Sequence, residues 1–303
     1  MGLVGALANA WRRTVVTLAL LTSACASTPA PKPAPAPELA AAPDTAAEIA
    51  RDLVRGRAGG LFEVKRFRFL TSGAAIGRLA LWGPSLAQLG LDPMFDVERA
   101  FVTSEHALGD SGIAVLEMAR SDREIAAALA ANGLQDREGE FPSTQVTLPS
   151  GTTRIVALVR PGLMVVAPPW QASRLAPLRS RARLPRIPGP AAARFFAFEP
   201  SSSLGSMPSW PTSLRAAHAE LVFEDDGGAT ITFFAQSLSE DQARADAQAL
   251  TDEAHRLLAV SLGLFEMHLL DPPTFQSDGS LVLMKTTLLP GDVDWILGYT
   301  GKP

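Results

Sequence analysis

The chain has one cysteine and one tyrosine in 303 residues, and four histidines. A lone thiol cannot close an internal disulfide, so no covalent staple holds the fold. Four histidines leave little material for an imidazole-rich metal site, and one tyrosine leaves little for a stacking platform. No G-x-S-x-G elbow, H-E-x-x-H, Walker loop or G-x-G-x-x-G occurs. Basic residues are also in deficit. Lys and Arg number 27 against 31 Asp and Glu, a net charge of −4. Nucleic-acid binding needs clustered cations to displace counterions, so this balance argues against it. Beyond the N-terminus no apolar run is long and uncharged enough to span a bilayer.

What is present begins at the N-terminus. Arg12 and Arg13 precede an apolar run over 14–21, and Thr22, Ser23 and Ala24 are small. This is the order of a secretory signal peptide over 1–24. Leu21-Thr22-Ser23-Ala24-Cys25 resembles the lipobox of bacterial lipoproteins, with Thr22 where that family usually has leucine. The resemblance implies cleavage before Cys25 and acylation of its sulfur and its new amino group. Cys25 is thus the expected lipid-attachment site, and the membrane its first partner. Several acyl chains would anchor stably where one is marginal. Ala26 stands where an aspartate would favour the inner membrane in that family, so the resemblance implies an outer-membrane, periplasm-facing address. Loss of the leader takes the net charge from −4 to −6, because the leader carries two arginines and no acid.

Residues 25–44 follow as a tether. Pro29, Pro31, Pro33, Pro35 and Pro37 alternate with Ala or Lys. Proline fixes φ and removes the N–H, so the run favours an extended polyproline II spacer.

The body reads as α+β: antiparallel sheets with helices packed on one face, in two similar halves, 45–185 and 186–303. In the first half the pattern predicts a helix over 45–57 capped by Asp44 and ended by Gly59-Gly60, then a strand over 62–70. A helix over 74–90, broken by Gly83-Pro84, and a hairpin of 98–104 with 113–119 follow. Ser121 to Glu124 is a capping box opening a helix to 131, and strands lie at 145–148, 153–159 and 163–167. In the second half a phenylalanine-rich strand at 194–199 precedes a hairpin of 217–224 with 229–236. Asp225-Asp226-Gly227-Gly228 is its turn, and Ser239 to Gln242 caps a helix to about 262. Strands follow at 265–270 and 281–289. Short helices close each half at 170–178 and 292–299. The repeated order suggests an internal duplication. Residues 179–190 join the halves, and Arg179, Arg181, Arg183 and Arg186 there read as a solvated linker or an anion-reading patch.

Candidate chemistry is sparse. Asp292 and Asp294 could contribute to a calcium site, although two acids do not make a cage and Asp292 is placed to cap a helix. Glu253 with His255, and Glu266 with His268, are acid–histidine neighbours; on a strand the second pair would share a face, as a general base needs. Glu105-His106 and His218 with Glu220 read as solvated pairs, and Asp225 with Asp226 as turn chemistry. No catalytic, cofactor or metal residue is assigned. Phe195, Phe196, Phe198, Phe223, Phe233, Phe234 and Phe265 crowd the second half, as a packed core or as a lining for apolar ligands. The Ala/Arg/Pro-rich style resembles envelope lipoproteins of Gram-negative bacteria, which implies no activity. The expectation is a lipid-anchored envelope protein whose module binds or scaffolds a partner without catalysis. The alternatives are a carrier of apolar ligands or lipids in an internal cavity, and an envelope enzyme.

Overall fold

The computed structural model describes residues 45–68, 70, 77, 80–105, 111–133, 141–180, 183–204, 209–261, 266–268 and 271–293. Cys25, the expected leader and tether, His106, Arg181, Phe265, Asp294 and the end of the expected last helix lie outside them.

Helix α1 spans Ala46–Val54, and Thr45 is its N-cap. The Glu48 amide donates to Thr45 Oγ1 at 3.2 Å, and the Thr45 amide donates to Glu48 Oε2 at 2.8 Å. This reciprocal box satisfies donors that a helix start leaves orphaned. The cap therefore sits one residue later than the sequence reading put it. The next element departs further. Strand β1 is Ala58–Glu63, followed by a 3-10 turn at Val64–Phe67, so the expected strand over 62–70 begins and ends early. Gly59 and Gly60 do not end a helix; they lie inside β1. A Cβ at Gly59 would fall 2.3 Å from the Val102 carbonyl oxygen, and one at Gly60 would fall 2.9 Å from the Phe195 ring. The rings of Phe195 and Phe196 occupy the space that side chains would take, an aromatic covering of strand glycines.

Helix α2 spans Gly83–Gln88, with Pro84 in its first turn. Strands β2 (Val97–Ser104) and β3 (Ile113–Met118) form the expected hairpin. Helix α3 covers Asp122–Ala131, capped by Ser121 and Glu124 as the sequence predicts. Strands β4 (Ser143–Thr147), β5 (Thr153–Arg160) and β6 (Leu163–Ala167) follow. The expected helix over 170–178 is instead two 3-10 segments, Pro169–Arg174 and Ala176–Ser180.

The second part holds β7 (Ala193–Phe198), a short helix α4 (Pro200–Ser203), β8 (Ala216–Phe223) and β9 (Ala229–Gln236). Helix α5 then spans Glu240–Leu258, with Ser239 Oγ accepting from the Gln242 amide. Strands β10 (Ala259–Ser261) and β11 (Glu266–His268) pair with each other alone. Strands β12 (Gln276–Asp278) and β13 (Leu281–Leu288) complete the set.

Among the described residues eleven strands join in one antiparallel sheet, in the order β12-β13-β9-β8-β7-β1-β2-β3-β6-β5-β4. The expectation of a separate sheet in each half is corrected: β1 pairs with β7, Ala58 opposite Ala197 and Phe62 opposite Ala193, and fuses the two.

Helix placement is corrected too. Leu86 of α2, Ile125 and Leu129 of α3, and Leu250 of α5 share one core with Ala100, Leu116, Val156, Met164 and Phe233. A second core lies on the opposite face of the first half only. There α1 and the 3-10 residues Leu175 and Leu178 cover Phe101, Ile113, Val115, Ala157 and Val165. The reason is compositional. Strands β3 and β6 are apolar on both faces, so both must be covered; β8, β9 and β13 alternate and bury one face.

Asp246 of α5 is buried. It accepts from Ser213 Oγ at 2.5 Å, Ser237 Oγ at 2.6 Å and Gln242 Nε2 at 3.0 Å. These donors replace the lost hydration and tie α5 to the loop before β8 and the end of β9. Replacing Asp246 with Ala strands two buried hydroxyls. We expect a loss of about 2–3 kcal/mol, read as a lower urea midpoint with an unchanged slope.

Candidate functional site

The described residues surround an apolar cleft of about 70 Å³ where β1 meets β7, on the α5 side of the sheet. Its floor follows from the strand register. Ala58, Ala197 and Ala217, which line it, lie opposite one another across β1, β7 and β8, and Ala235 of β9 continues the row beyond it. Four methyl groups in a row leave a trough where larger residues would fill the space. The walls are aromatic. The Phe62 ring meets Phe195 edge-on at 5.4 Å and Trp82 at 5.8 Å. Trp210 stacks on Phe233 with centroids 6.1 Å apart, and Phe233 meets Phe275 edge-on at 5.5 Å. Each wall ring is held by another ring, so the trough is not free to collapse by rotamer change. Trp210 is only 6% exposed, and its indole N–H has no hydrogen-bond partner among the described residues.

The polar face of β8 behaves differently from the sequence reading. His218 is half-buried and sits opposite Phe196 and Phe234. Burial lowers its pKa, so the ring is neutral at pH 7. Glu220 pairs with Arg194 at 2.7 Å rather than acting with His218. Glu253 accepts instead from the Ser209 amide at 2.8 Å and from Arg256 Nε and Nη2, each at 2.6 Å. Asp226 Oδ1 accepts from the Gly228 amide, and Asp292 Oδ2 from the Leu289 amide, so both do the turn and cap work expected of them. Glu266 and His268 lie on β11. Among the described residues no group of three His, Cys, Asp or Glu could hold a metal ion.

The sequence reading missed a buried charge row on the face beneath α1. Glu63, Arg99 and Glu117 are cross-strand neighbours on β1, β2 and β3, and all three are buried. Arg99 lies 2.5 Å from Glu117, and Glu63 Oε1 accepts from the Ile187 amide at 3.1 Å. Arg183 approaches Glu117 at 3.9 Å. The joining segment is therefore seated on the sheet: Leu184 and Ile187 are buried, Arg66 donates to the Gly189 and Ala191 carbonyls, and Arg179 lies over the Phe141 ring. The available signal was a charge set inward in each largely apolar strand, Arg99 in VERAFVTS and Glu117 in IAVLEM.

Two tests follow from these ion pairs. Arg99→Ala removes the close cationic partner of the buried Glu117 carboxylate and should cost about 3–5 kcal/mol, whereas the double change Arg99→Met with Glu117→Leu should recover most of that in chemical denaturation. The Arg256 hydrogen bond, with the Ser209 amide, holds the Glu253 pKa below its ordinary value against the opposing effect of burial. A lowered carboxylate pKa stabilises the folded state above the unfolded value, and that contribution fades as pH falls through the folded one. Glu253→Gln should therefore lower the melting temperature at pH 7 and reduce its fall below about pH 4; parallel curves for the two proteins would contradict this.

No protein-family model, no curated protein and no solved structure matches the chain, so its site is read from its own geometry alone.

Proposed function

We propose that this is a lipid-anchored envelope protein whose folded body binds an apolar ligand without catalysis. Cys25 carries the anchor, residues 25–44 hold the body off the membrane, and the seam cleft takes the ligand. The single observation behind the binding reading is the cleft: an alanine floor between aromatic walls that neighbouring rings hold open. It favours a ligand-binding or carrier role over a purely scaffolding one.

The body's two halves are read as an internal duplication. Strands β1, β2 and β3 run as a meander, α3 follows, and β6 returns beside β3; strands β7, β8 and β9 run as a meander, α5 follows, and β13 returns beside β9. The equivalent first strands β1 and β7 pair antiparallel at the centre, as a local two-fold would require. On this reading the ligand site lies where the two copies meet.

Replacing Cys25 with Ala should abolish palmitate labelling and move the protein out of the membrane fraction; unchanged fractionation would refute the anchor. Native mass spectrometry of protein taken from the envelope should show a bound apolar molecule, lost when Ala217→Leu fills the floor. An unliganded mass for both proteins would remove the binding reading.

A further inference from the structure

We infer that the seam cleft takes the methyl end of an unbranched alkyl chain, about five carbons deep, while the polar head of the same molecule stays in water. This rests on the apolar-binding reading above and adds the shape and the orientation of the occupant.

Three observations carry it. The first is the polarity of the lining. Among its described residues none is Lys, Arg, Asp or Glu. The polar groups that do line it are engaged elsewhere. Thr103 Oγ1 donates to the Ala58 carbonyl at 3.1 Å, and Ser104 Oγ lies 3.3 Å from Ser111 Oγ; Thr103 and Ser104 are both buried. β1 is paired on both sides, so the Gly59 and Gly60 backbone faces ladder partners in β2 and β7. The Trp210 nitrogen is itself buried. His218 is register partner to Phe196 and Phe234, which belong to the opposite face of the sheet. A head group drawn inside would lose its hydration and find no hydrogen bond, which outweighs the gain from burying a methylene. The chain therefore enters methyl first.

The second is size. A room of 70 Å³ holds about five water-sized spheres, hence roughly five chain carbons. An apolar cavity known to hold a benzene ring is about twice as large, near 150 Å³. A chain one carbon wide fits the room, and a ring does not. The third is the rigidity of the walls. Ala58, Ala197 and Ala217, with Gly60 and Ala219 two residues further along their strands, keep the floor low. Phe195 stands against Phe62, and Trp210 against Phe233. The room cannot widen for a bulkier guest without parting these pairs. The cleft is partly open to solvent, so further carbons and the head extend outward. A single-chain amphiphile and a membrane lipid both carry such an end, and experiment separates the two sources.

The test uses the full-length Cys25→Ala chain and chemical-shift titration with sodium alkanoates and with alkyltrimethylammonium salts, each below its micelle concentration. In both series affinity should rise about fourfold for each added methylene that is buried and level off once about five carbons are inside. A shared plateau for heads of opposite charge shows that the head stays outside. Decanoate should bind at least roughly tenfold tighter than 4-cyclohexylbutanoate, which has as many carbons but ends in a ring, because the ring forgoes two or more buried methylenes. Ala217→Leu and Ala219→Leu, which fill the floor, should each shorten the plateau; the length and ring comparisons need only the parent protein. Equal binding of the ring-ended acid, an affinity that climbs with every added carbon, or binding of one head charge alone overturns the chain-end inference. If either leucine change still weakens that binding, the cleft reading stands. No binding of any probe, or binding that neither leucine change alters, overturns both. Dihexanoylphosphatidylcholine below its micelle concentration separates the sources: competition with decanoate points to a lipid tail, and its exclusion points to a single-chain amphiphile.

Discussion

The antiparallel pairing of β1 with β7 is the contact on which the rest of the molecule depends. It turns two strand systems into one sheet and sets Ala58 against Ala197, the start of the alanine row. It also demands Gly59 and Gly60. With side chains there, β1 would collide with the Val102 carbonyl on one neighbour and the Phe195 ring on the other. The pairing of strands and the emptiness above them thus have one cause: small residues at the centre of a wide sheet, roofed by large rings from the sides.

The two parts of the sheet solve the covering problem differently. The first part is a three-layer arrangement, with α2 and α3 on one face and α1 with the 3-10 turns on the other. The second buries only the face beneath α5 and leaves residues such as Phe196, Phe234 and Leu283 half-buried on the reverse. Polar networks fix the joints between layers. Asp246 locks α5 to its sheet, and the Glu63–Arg99–Glu117 row receives the segment that crosses from one part to the other. Buried charges of this kind add little net stability, but they penalise any register that separates them.

Local signals were legible where the physics is local. The capping box of Ser121 and Glu124, the two hairpins and the Asp226 turn were all readable because each rests on residues within a few positions. The α+β class followed from them. The glycine pair misled, because Gly59 and Gly60 resemble a helix terminus until Phe195 and Phe196, more than a hundred residues later, are brought over them. The alanine row was equally hidden. Ala58, Ala197, Ala217 and Ala235 are ordinary alanines in sequence, and only the cross-strand register makes them a floor. The phenylalanines named as core or lining divide by strand parity: Phe195 and Phe233 pack in the core beneath α5, and Phe196 stacks on Phe101 in the core on the opposite face. Continuity of the sheet was the feature furthest from reach, since nothing near residue 60 names residue 195 as its neighbour.

That distance has a consequence for how the chain reaches its final form. β1 finds β2 early, across a modest loop, but its other side waits for a strand made far downstream. Until β7 arrives, β1 shows a bare row of amides and carbonyls on an apolar ribbon, the kind of edge that recruits other chains. Closure across so long a separation is slow. The order of emergence is therefore a hazard built into the architecture: the middle of the finished sheet stays open until a strand from the second half of the chain has been made.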